Sequence, residues 1–133
     1  MRHARIIILL STAALLLGSS VLAAGNTVTK VTLNPPNPNI LLNGQQVTVS
    51  FTYASNQQVL IFARPFVGAN PAPGYAASGS QTHNPPGGTA TQWFTINTGN
   101  VTVDRIRIQI LNTAKTQVLF EAFLPVHYEF RAP

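Results

Sequence analysis

The chain contains no cysteine, one tryptophan and three acidic residues among 133, and charged side chains make up only 8% of it. Each shortage excludes something. Without cysteine no disulfide can staple the fold, so an exported domain of this size must be held by core packing alone. With Asp104, Glu121 and Glu129 as its acids and two histidines beyond residue 3, it offers little for acid–base or nucleophilic chemistry. No serine stands in a Gly-x-Ser-x-Gly setting, and Glu121 and Glu129, eight residues apart on one strand, are separated by about 26 Å at roughly 3.3 Å per residue. That is too far to flank one glycosidic bond. The chain is read as not an enzyme and as using no cofactor.

The beginning reads as an address. Met1–Arg5 is basic, Ile6–Leu17 apolar, and Gly18–Ala24 rich in small residues, the three-part layout of a signal peptide cut after Ala23 or Ala24. Only an uncleaved leader would tie the protein to a membrane, since Ile6–Ala24 is just long enough to span one. Removing residues 1–24 leaves 109, enough for a single domain over 25–133. Six cations then face three acids, a net charge of +3. Scattered along the sequence, those cations make a poor footprint for nucleic acid, which is not expected as a partner.

What is present is alternation. In Ile106–Ile110 and in Val118–Phe130 the even positions are apolar, the period of strands with one buried face. Asn112–Thr116 between them has turn composition. Val47, Val49, Phe51 and Tyr53 alternate likewise, as do Ala90, Gln92, Phe94 and Ile96 against Thr91, Trp93 and Thr95. Val59–Arg64 is apolar almost throughout, predicting a central strand, or one under a loop, that ends at Pro65. Thr27–Leu33, with Val31 and Leu33 inward, and Ile40–Leu42 predict a first strand split by the proline run of residues 34–39. The apolar phase switches at Asp104–Arg105, which predicts a β-bulge, and Pro125 suits a sheet edge. The stretch 68–88 is long and irregular, rich in proline and glycine, with a short edge strand near Tyr75–Ser78.

About seven short strands at this order and spacing resemble an immunoglobulin-like or fibronectin type III-like antiparallel β-sandwich. Ile61–Phe66 and Gly74–Ser80 are similar to segments of exported microbial proteins. The resemblance implies an all-β module without implying an activity.

Candidate contact residues are few. Arg105 and Arg107, in a polar row with Gln109, suit carboxylates or an anionic glycan, because guanidinium binds such groups through a planar fork. Trp93 and Tyr75 suit stacking on a sugar or anchoring a protein contact. His127 and Glu129 share a strand face but supply two ligands where zinc takes three or four, so no metal site is expected. The function expected is a non-catalytic secreted or cell-surface module (extracellular or periplasmic) acting through protein partners or self-association, as a structural, matrix or filament component. In one version Thr27–Leu33 leaves its sheet to complete a neighbour's. The alternative is a carbohydrate-binding module using its exposed aromatics, with polysaccharide as partner.

Overall fold

In a computed structural model the protein is an immunoglobulin-like antiparallel β-sandwich. The structure describes residues 25–133; of residues 1–24 it describes only the backbone of two strands, Arg5–Leu9 and Ala14–Leu22. The expected cut after Ala23 or Ala24 lies outside the described residues. Among those described, no helix is long and apolar enough to cross a membrane.

The domain strands are β1 (Thr27–Asn34), β2 (Asn39–Leu42), β3 (Gln46–Ala54), β4 (Val59–Val67), β5 (Asn70–Pro71), β6 (Tyr75–Ala77), β7 (Gly87–Ile96), β8 (Val101–Asn112) and β9 (Val118–Arg131). Seven of them have four residues or more. One sheet has the order β1-β3-β7-β6; the other runs β5-β4-β8-β9, with β2 parallel beside the end of β9.

The alternating apolar residues meet between the sheets. Ile106, Ile108, Ile110, Phe120, Ala122 and Leu124 have no exposed surface and pack with Val47, Val49, Phe94 and Ile96 from the facing sheet. Burying one such large side chain contributes about 1.5–3 kcal/mol, and with no disulfide this interior carries the stability. The Asp104–Arg105 phase switch is a bulge, since Val103 faces Tyr128 while Arg105 faces Pro125. The split first strand is also present: β1 lies in one sheet and β2 in the other. The Tyr128 hydroxyl ties the crossing to the core by donating to Pro35 O at 2.6 Å.

One expectation needs correction. Pro65 does not end β4, which continues to Val67. The N–H that proline lacks would point to the outer edge, where β8 asks for no bond. In β1 Val31 is buried and Leu33 packs partly buried against the core, as the alternation predicts, and Val28 joins them because Lys30, at φ 54°, shifts the register between Thr29 and Thr32.

The irregular stretch 68–86 closes the outer edge of β4. Val59 and His83 exchange backbone hydrogen bonds at 3.0 and 2.8 Å. Ile61 N donates to Ser80 Oγ at 2.9 Å and Ala63 N to Gln92 Oε1 at 3.4 Å. Gln92 is the polar member of the inward row of β7, 3% exposed. It accepts from Ser78 Oγ at 2.9 Å and donates to Gly79 O at 2.8 Å, so its buried amide is matched on both sides.

Candidate functional site

The outer face of the β4-β8-β9 sheet carries the chemistry. Register sets it out in rows. Arg105 lies opposite Phe66 and Pro125, Arg107 opposite Arg64 and Phe123, and Gln109 opposite Phe62 and Glu121. Directly paired residues of antiparallel strands point to the same side, so these side chains share one face. The Arg107 guanidinium sits 4.9 Å from the Phe66 ring centroid, Arg64 4.8 Å from Phe62, Arg105 5.7 Å from Phe123 and the Lys115 ammonium 5.6 Å from Phe62. Phe66 and Phe123 meet edge to face at 5.4 Å. Four cations are thus interleaved with three phenylalanines.

Each cation over a ring gains about 0.5–1 kcal/mol at exposed sites. The rings also hold the guanidinium groups in place without using their N–H donors. The side chains of Arg105, Arg107 and Lys115 donate no hydrogen bond to any described residue, and Arg107 Nε is buried without a partner among them. Arg64 differs, donating to Ser78 O at 3.0 Å and Ala63 O at 3.2 Å. Burial lowers the Arg64 pKa; Tyr75 acts in the opposite direction, and the like charge of Arg107 adds to the lowering. Gln109 Nε2 donates to Glu121 Oε1 at 2.6 Å, one row from the Arg64–Arg107 pair.

Of the four residues singled out from sequence, Arg105 and Arg107 belong to this face and Tyr75 reaches its border beside Arg64. Trp93 does not. Tyr75 pairs with the inward-facing Ile96, whereas Trp93 pairs with the outward-facing Thr48. The two aromatics therefore leave opposite faces of their sheet and form no common platform. The cations that look scattered in sequence are gathered in space, four of the six beyond the leader lying on one face. Sequence reasoning missed Arg64, Lys115 and the three phenylalanines. The one available signal was an arginine inside the apolar run of β4.

His127 and Glu129 meet at 2.9 Å, and Arg131 reaches the other carboxylate oxygen at 3.0 Å. These hydrogen bonds, first from His127 and then from Arg131, hold Glu129 below the usual carboxylate range. His83 lies elsewhere, against Tyr53 with ring centroids 5.1 Å apart, and burial lowers its pKa. Among the described residues no three histidine, cysteine or acidic side chains form a metal-holding group.

No protein-family model matches the chain, and no curated protein matches it. Among solved structures it is similar to a Niemann-Pick type C2 protein from the Japanese carpenter ant, at 9% identity and a TM-score of 0.49, over 82% of this chain and 95% of that one.

Proposed function

We propose that the protein is an exported, non-catalytic module that works by contact, through the arginine- and phenylalanine-lined face of the β4-β8-β9 sheet, with an acidic protein surface. The observation that carries this reading is the Arg64–Arg107 pair, two like charges directly opposed across strands with no carboxylate in their row. Such opposition is destabilising by roughly 0.2–1 kcal/mol. A carboxylate arriving from outside relieves it and takes the unused forks of Arg105 and Arg107. The flanking rings supply the apolar part of a protein contact, and aromatic residues with arginine are the side chains enriched where binding energy concentrates.

The test is a titration with poly-L-glutamate at low salt. Binding is expected, weakening as salt rises, and falling at least tenfold in the Arg105→Ala/Arg107→Ala variant with the circular dichroism spectrum unchanged. Binding that survives this double substitution would remove the face from consideration. A neutral polysaccharide bound in its place, with loss on Trp93→Ala, would favour the carbohydrate reading instead.

A further inference from the structure

The two edges of the β4-β8-β9 sheet are finished in different ways. Along β4 every second residue is stoppered: Val59 by His83, Ile61 by Ser80 Oγ, Ala63 by Gln92 Oε1, and Pro65, which has no N–H, by Ala72 N on its carbonyl at 2.9 Å. β9 is stoppered over its second half only. Asn37 Oδ1 accepts from His127 N at 2.6 Å, and β2 runs beside Tyr128–Arg131. Between Leu119 and Leu124 no residue of 25–133 pairs with the outer edge of β9. The backbone that lies there, antiparallel with Phe120 opposite Leu22 and Phe123 opposite Gly18, belongs to the leader that the expected cut removes.

We propose that in the exported protein this edge takes β9 of a second copy, antiparallel, about a two-fold axis at Ala122. An unpaired strand edge is a template for another strand, and three features of β9 choose the partner and register. The inner faces of the two sheets must join, so even residues must oppose even ones. Centring on Glu121 would oppose two carboxylates, and centring on Phe123 would set Pro125, without an N–H, against Glu121. Centring on Ala122 avoids both. It places Phe120 against the partner's Leu124 on the apolar side. On the outer side it places Glu121 against the partner's Phe123, one strand away from the partner's Arg107.

The assembly closes at two copies. The β4 edge is sealed, β1 is interrupted at Lys30 and β6 is three residues long. Among the described residues no other edge is both long and regular enough to extend a filament. Pairing would also join two cationic faces into one, giving a bivalent surface.

The chain starting at Gly25 holds every described residue of the core, so it serves for the test. Sedimentation equilibrium at millimolar concentration is expected to give a dimer. Because the chain has no cysteine, Ala122→Cys reports the register directly: opposed Cα atoms about 4.5–5.5 Å apart lie within disulfide range and should close an intermolecular bond on mild oxidation. Thr91→Cys, on the outer face of the other sheet, should not. Glu121→Arg, which sets a cation beside the partner's arginines, should raise the dissociation constant at least tenfold. A folded monomer at that concentration overturns the proposal, as does an open-ended polymer, or a dimer that Glu121→Arg leaves untouched.

Discussion

The two outer faces of this sandwich are built from different alphabets. One reads Thr32-Ser50-Thr91 and Thr29-Thr52-Thr89 across its rows, with Trp93 beside Thr48. It carries short hydroxyl side chains, of which Ser50 and Thr91 bond one another at 3.3 Å. The other reads Phe66-Arg105-Pro125, Arg64-Arg107-Phe123 and Phe62-Gln109-Glu121. The hydroxyl face is what solvation and strand propensity alone would choose. The arginine face opposes like charges and keeps guanidinium donors unused, choices that folding does not favour. Departures from local consistency of this kind are where function is to be sought.

The comparison can be broken from either side. The largest effect is expected from reversing charge: Arg105→Glu/Arg107→Glu should weaken poly-L-glutamate binding by at least about 100-fold in calorimetric titration, since hydrogen bonds to charged groups are worth about 1.5–3 kcal/mol each. Gln92→Leu leaves Ala63 N and Gly79 O without their buried partner and should destabilise by about 2 kcal/mol, read as a lower urea midpoint. Binding per folded molecule should be unchanged. Arg107→Gln sharpens the contrast between the two roles: stability should stay within about 0.5 kcal/mol, because the like-charge opposition goes together with the ring contact, while binding falls about tenfold. Trp93→Ala should leave poly-L-glutamate binding intact.

The smallest effect is on pH. Burial holds the His83 pKa below its ordinary 6.5. The folded protein therefore binds fewer protons there than the unfolded chain, and stability is lost as pH falls below 6.5. Glu129, held low by His127 and Arg131, acts in the same direction at more acid pH. His83→Gln should flatten the urea midpoint between pH 7 and 5, with binding to the arginine face unaffected at pH 7.

Strand pattern made the interior legible. The inward rows of β3, β7, β8 and β9 alternate in sequence as they do in space, and the bulge at Asp104 shows as a phase change. The face was only half legible because it depends on register between strands, which no strand's own pattern carries. Arg105 and Arg107 stood out because they alternate with isoleucine. Arg64 reads as the end of an apolar run before Pro65, Phe62 reads as part of that run, and Phe66 lies beyond the end the run is given. An apolar run covered by a loop on one edge and by guanidinium groups on its outer face has the same composition as one buried on both faces. The expected leader of 1–24 rests on sequence alone. In this structure Thr27–Asn34 is seated in its own sheet with Val28 and Val31 in the core.

Chemical-shift mapping of the nitrogen-15-labelled chain titrated with poly-L-glutamate decides between the two faces most directly. The account predicts shifts concentrated at Arg64, Arg105, Arg107, Phe123 and the Arg105 and Arg107 side-chain Nε–H signals, with Thr91 and Trp93 unmoved. Shifts centred on Trp93 and Thr91, or none at low salt, would contradict it.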